Sequence, residues 1–236
     1  YITLTPGENV SETGILQRAQ GCLLGALAAD AYGLGDGIQD GFTSSLYEHS
    51  PNTTSSPNMP AGQLRSHAEL MVALARSIVI HGHYDPIRVR EEYKSWVRSE
   101  PPEPPPELLA RLLTVRIDDS THRDAVRQSG QVLLRLAPLA VFGVWHPDEG
   151  VAELARHDAT LTHPDTAVGS LAATFVATLT HIIRTGASPK ETLDFARAYS
   201  GHRTLGATPS VGGHGETGAH LMLSDALYQL QHQSSV

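Results

Sequence analysis

The sequence predicts an all-α fold, a bundle of helices joined by two long loops. Three observations lead there. Apolar residues recur at three- and four-residue steps along most of the chain, the period of a helix with one buried face. Nowhere do apolar and polar residues alternate between turn signals as a half-buried strand requires. Gly, Ser, Asn, Thr and Pro gather in two stretches, 33–62 and 199–217, instead of punctuating the chain at short intervals.

The first helix is predicted over 14–32, where Ile15, Leu16, Ala19, Leu23, Ala26 and Leu27 share one face. Gly21, Gly25 and Ala29 are spaced by four and line one side of it. An interior glycine costs about 1 kcal/mol relative to alanine, so this stripe predicts a close neighbouring backbone and a central helix. The polar stretch from Gly33 to Gly62 follows; a loop of that length is uncommon in a compact domain and is often functional. Helical spacing resumes with His67, Met71, Leu74 and Ile78, and 85–97 reads as an amphipathic helix with Pro86 in its first turn.

The run Glu100 to Pro106 is an extended, stiff connector. Helices are then expected at 107–115, 131–144, 147–157, 164–184 and 189–199, a second Gly-rich loop up to Thr217, and a last helix at 218–231. The whole of 1–236 is read as one domain, with room for trimming at either end, since the chain begins on Tyr1.

Composition narrows the function. With 40% hydrophobic and 18% charged residues the chain can bury a core. The formal net charge is −8 and no Lys/Arg stripe is present, so nucleic acid is not an expected partner. The lone Cys22, flanked by Leu23 and Leu24, reads as a packing thiol. The most apolar stretch, Leu171 to Ile183, is interrupted by threonines and His181 and falls short of a bilayer span. No leader pattern is present. A cytoplasmic protein without a membrane partner is the default expectation.

Three segments then occur in order. Gly21, Gly25, Asp30 and Gly33 fit a G-x-x-x-G-x-A-x-G-D-A-x-G helix; Arg135 with Ala137-Pro138-Leu139 fits M-R-x-A-P-L; Leu161-Thr162-His163-Pro164 opens a long apolar helix as L-T-H-x. Over roughly residues 14–200 the chain thereby resembles the ADP-ribosylglycohydrolase family, of the dinitrogenase-reductase-activating glycohydrolase type. The resemblance implies an orthogonal all-α bundle whose long loops form a cleft at one end. It implies cleavage of a glycosidic bond to ADP-ribose with two magnesium ions, hard cations held by carboxylate and hydroxyl oxygens. The expected partners are an ADP-ribose-like nucleotide or an ADP-ribosylated protein.

The metal motifs implied by the resemblance are largely absent. Aligned through Ala73-Leu74-Ala75, the family's T-D-D-T falls on Arg65, Ser66, His67 and Ala68. Two carboxylates have become a hydroxyl and an imidazole, and a guanidinium stands where a threonine is expected; its fixed charge repels a nearby cation. Glu69 lies one helical step off. The late G-G-D-x-D-T is matched only by Gly212 to Thr217, leaving Glu216 and Thr217 as oxygen donors beside Gly213. Magnesium is therefore a cofactor only to the extent that the family's site survives.

Other candidates follow by position. Asp30 matches the aspartate at the end of the opening helix, where a structural hydrogen-bonding role is the more economical reading. Asp36 lies near the family's loop glutamate, and His163 is placed to line the cleft. The candidate catalytic set is Asp36, His67 and Glu216; the candidate ligand-binding set is Asp30, Arg65, Ser66, Glu69, His163, Gly213 and Thr217. His81-Gly82-His83, and the pair His214 and His220, lack the supporting ligands of a zinc site. Three readings result: a pseudoenzyme binding an ADP-ribose-like or other anionic ligand or a protein, an active hydrolase or lyase with altered metal use, and a structural protein that kept only the helices.

Overall fold

The computed structural model describes residues 13–32, 63–102, 104, 106–113, 130–207 and 218–232. Among these residues the chain forms ten α-helices and one 3-10 turn, with no strand. In order they are α1 (Thr13–Tyr32), α2 (Ser66–His81), α3 (Pro86–Arg98), α4 (Pro106–Leu112), α5 (Gly130–Arg135), α6 (Ala137–Phe142), the 3-10 turn Gly143–Trp145, α7 (Asp148–Thr160), α8 (Thr166–Thr185), α9 (Pro189–Ser200) and α10 (Gly218–His232). The two predicted Gly-rich loops fall mainly on residues outside the described ones.

The centre of the bundle is α8, packed against α7 along its length and touched by α1, α5, α6, α9 and α10. Its sequence explains the position. Val168, Leu171, Ala172, Val176, Ala177 and Ile183 are buried, and so are Thr174, Thr178 and Thr180. The hydroxyls of Thr174 and Thr180 donate to the carbonyls of Ser170 and Val176, one turn back, so they can sit in the core. Asp165 starts the helix by accepting from the Ala167 N–H, and Gly186, at φ 69°, ends it. The sequence expectation that this stretch is too short to cross a bilayer needs correcting. The helix runs twenty residues and is long and apolar enough by composition, but 61% of its apolar window is buried inside the molecule. It is apolar on more than one side because protein surrounds it.

The prediction that α1 is central is overturned. Among its described side chains Ile15 alone is fully buried, and Leu16 and Leu24 stand exposed. Among the described residues nothing lies within 4 Å of where a Cβ on Gly21 or Gly25 would be. The close backbone approach occurs elsewhere: a Cβ on Gly130 would meet the Gly218 carbonyl oxygen at 2.7 Å, where α5 crosses α10. α1 is held instead by Arg18, whose Nε donates to the Ile183 carbonyl at 2.8 Å and caps the end of α8. Beside this clamp α1, α5, α6 and α8 leave a groove of about 320 Å³, lined among others by Cys22, Phe175 and Leu179. Burial there raises the Cys22 thiol to about 11, so it is a neutral, packing thiol.

The single helix expected over 131–144 is broken at Leu136. Pro138 carries no N–H and its ring clashes with a helical carbonyl four residues back, so continuous α-geometry cannot pass through it. The chain turns with three-residue bonds, Leu136 N–H to Leu133 and Leu139 N–H to Leu136, before α6 begins. The remaining predicted helices appear within a few residues of their expected ends.

Candidate functional site

α2 begins at Arg65, whose extended backbone (φ −83°, ψ 167°) is the N-cap and whose own side chain makes no capping hydrogen bond to the helix. The Arg65 N–H itself donates to Asp30 Oδ2 at 2.7 Å, across 35 residues of sequence. Asp30, near the end of α1, thus ties that helix to the start of α2, the structural role expected of it. Ser66 and His67 follow in the first turn and are buried. One turn on, Glu69 Oε2 accepts from the Trp96 indole N–H of α3 at 2.6 Å. Glu69 therefore braces α3, with its carboxylate directed to an indole.

His67 meets His163 beneath this helix end, with ring centroids 6.5 Å apart. Both rings are 5% exposed. His67 Nδ1 is buried and has no hydrogen-bond partner among the described residues. Burial holds the His67 pKa well below the usual 6.5, and the Arg135 cation and His163 lower it further. For His163, burial first and then the charges of Arg135 and Arg111 lower the value to about 3. Both rings are neutral at physiological pH.

Behind the histidines lies a buried polar network that joins three helices, α3, α5 and α7, and the segments beside them. Arg135, at the end of α5, is fully buried and donates from Nε to Asp158 Oδ1 at 2.9 Å, from Nη2 to the Asp158 carbonyl at 2.8 Å, and from Nη1 to Thr162 Oγ1 at 2.7 Å. Thr162 Oγ1 is 2.9 Å from His163 Nδ1. Asp158, on α7, also accepts from the hydroxyls of Tyr93 at 3.1 Å and Tyr84 at 3.3 Å. The guanidinium lies 5.1 Å from the centre of the Tyr93 ring. Burial works against the Arg135 cation, but the Asp158 charge, its hydrogen bond and the neighbouring Tyr93 and Tyr84 oxygens together outweigh it and the pKa moves up. Burial and then Asp158 raise the Tyr93 and Tyr84 hydroxyls, which stay protonated and serve as donors.

Of the candidate residues, the structure gathers Asp30, Arg65, Ser66 and His67 at the start of α2, with His163 beneath and Glu69 one turn along. Asp36, Gly213, Glu216 and Thr217 lie outside the described residues, as does His214. The sequence reading named Arg135 and Thr162 only as parts of motifs and missed the network they form with Tyr84, Tyr93 and Asp158. A signal was present. Val151, Ala152, Ala155, Asp158 and Ala159 are the buried positions of α7, so a carboxylate sits on an apolar helical face and demands a buried partner.

The paired magnesium centre implied by the resemblance does not fit the described residues. No group of three or more His, Cys, Asp or Glu among them is placed to hold a metal ion. Two carboxylates beside the start of α2, Asp30 and Glu69, are engaged by the Arg65 N–H and the Trp96 indole. Likewise His81 and His83 place their Nδ1 atoms against the Ser77 and His81 carbonyls, as helix-end groups. The described residues at the start of α2 are thus Arg65, Ser66 and the neutral imidazole of His67, with His163 beneath, at a helix N-terminus that carries a partial positive charge.

In a search of curated proteins none matches this chain. The ADP-ribosylglycohydrolase family profile matches residues 11–233, nearly the whole chain and the three motif segments within it. With its all-helical architecture, this extent of match shows that the chain belongs to the ADP-ribosylglycohydrolase family.

Proposed function

We propose that this protein is a binding member of its family, taking an ADP-ribose-like ligand at the start of α2 without the paired magnesium ions. The observation that carries this reading is Arg65 at the N-cap of α2, followed by Ser66 and the buried His67, where the family's carboxylates are expected. A helix N-terminus without a side-chain cap attracts an anion through its N–H groups and dipole. A guanidinium at the same place adds a fork of donors suited to phosphate. Asp30, whose Oδ2 already accepts from the Arg65 N–H, supplies a neighbouring carboxylate that would accept from a sugar hydroxyl of the ligand. Phosphate beside sugar hydroxyl is the chemistry of a nucleotide sugar, free or attached to a protein. One domain spanning the chain and a cytoplasmic setting complete the proposal.

A hydrolase or lyase with altered metal use is the second reading. Its one support is the His67 Nδ1, which could accept a proton. Burial holds that ring far below neutral pKa, which makes it a poorly matched base. Binding is the better-supported role.

Calorimetry with ADP-ribose, with and without Mg²⁺, tests the proposal. Binding in the presence of chelator is expected. Tight Mg²⁺ uptake, or turnover of an ADP-ribosyl substrate that chelator abolishes, would overturn it.

A further inference from the structure

We propose that Arg135 and Thr162 are positioning residues that lock His163 as a neutral imidazole with its proton on Nε2. The argument is one of hydrogen-bond direction. Arginine has five N–H donors and no acceptor. The 2.7 Å contact from Arg135 Nη1 therefore occupies a lone pair of Thr162 Oγ1. Thr162 is 1% exposed, so its own hydroxyl proton needs a buried acceptor. Among the described residues, His163 Nδ1 at 2.9 Å is the acceptor within reach. Were Nδ1 protonated, Thr162 would accept twice and its proton would be left unpaired in the core. His163 thus carries its hydrogen on Nε2.

The direction is set by the buried network behind His163. Asp158 fixes the guanidinium through Nε and through its own carbonyl on Nη2, leaving Nη1 aimed at Thr162. Tyr93 and Tyr84 donate to the same carboxylate and hold it in place. The order runs from tyrosine hydroxyls to Asp158, from Arg135 to Asp158 and Thr162, and from Thr162 to His163. At the end of this order His163 has one donor and no free acceptor. The ring beside it, His67, keeps an unpaired Nδ1. The consequence for a ligand rests on the binding reading above: His163 offers Nε2–H to a ligand oxygen and rejects a ligand N–H.

The test is long-range ¹H–¹⁵N NMR of the full chain labelled at histidine, in the wild type and in Thr162→Ser and Thr162→Val. The wild type and Thr162→Ser should show His163 with unprotonated Nδ1 and protonated Nε2. Thr162→Val should release the lock, so that Nδ1 becomes protonated in part or in full. It should also weaken ADP-ribose by about tenfold, the effect of one misdirected hydrogen bond, with Thr162→Ser restoring affinity. A wild-type His163 protonated on Nδ1, or a tautomer unchanged in Thr162→Val, would overturn the proposal. Should Thr162→Val fail to fold, Nδ1 protonation in the wild type or in Thr162→Ser would still overturn it. The locked tautomer in a protein that binds no ADP-ribose supports the relay and removes the ligand reading instead.

Discussion

Arg135 and Asp158 form an ion pair with both side chains wholly buried, Nε to Oδ1 at 2.9 Å, between the end of α5 and the last turn of α7. A pair so placed adds little relative to an apolar isostere, because both charges were taken out of water; breaking it on one side strands the other charge. Asp158→Ala should therefore cost about 3–5 kcal/mol in urea denaturation. Arg135→Met with Asp158→Leu should recover much of that loss. A small effect of Asp158→Ala alone would mean that water reaches the guanidinium.

The pair Asp30 and Arg65 makes a milder prediction. Asp30→Ala removes the acceptor for the Arg65 N–H and should destabilise by about 1 kcal/mol, while Asp30→Asn, which keeps an oxygen there, should lose less. Equal losses for the two variants would show that the carboxylate charge, not the hydrogen bond, does the holding.

Arg65→Ala should weaken ADP-ribose by roughly tenfold or more, the range for a hydrogen bond to a charged group, with no comparable loss of stability. Isothermal titration at fixed ionic strength checks this. Unchanged affinity would remove the anion-site argument.

Acid should destabilise the fold through the histidine pair. His67 and His163 are held below their ordinary 6.5, His163 at about 3, so between those values the unfolded chain binds protons that the folded one refuses. Their contribution is intact above pH 6.5 and lost as pH falls toward 3. For His163 the loss between pH 6.5 and 5 is roughly 2 kcal/mol. His163→Gln should flatten this part of the curve by about that amount; an unaltered acid limb would show that its protonation is not what the fold resists.

Gly143→Ala tests the packing between the 3-10 turn and α7. A Cβ there would meet Val151 Cγ1 and Cγ2, each at 2.6 Å, and the branched valine has little room to turn. The substitution should cost about 1–3 kcal/mol, and Val151→Ala in the same chain should relieve part of it.

The helices were legible because their apolar spacing is strong: His67, Met71, Leu74 and Ile78 are the predicted and the observed buried face of α2. Two errors came from local signals overridden by context. The glycines of α1 suggested a close neighbour, but among the described residues the neighbour is absent and the tight crossing belongs to Gly130 and Gly218. Pro138 sat within an unbroken apolar run, and the period outweighed the proline until the turn at Leu136 showed otherwise.

At the candidate site, residue types were readable and their partners were not. Arg65 and His67 stood out as substitutions of charge and character. That Asp30 would hold the backbone at Arg65, or that Trp96 would take Glu69, depends on contacts 35 and 27 residues apart in sequence, which no short motif encodes. The network around Asp158 was hidden for a related reason: a lone carboxylate among alanines announces a buried partner without saying which helix brings it.

The exposed glycines of α1 have one more effect. Each leaves the peptide freer when the helix opens, and no contact among the described residues offsets it, so this helix is suited to melt before the rest of the bundle. Yet the same helix carries Asp30. Fraying at its far end would release the Arg65 amide, so a lightly packed helix helps decide when the start of α2 is assembled.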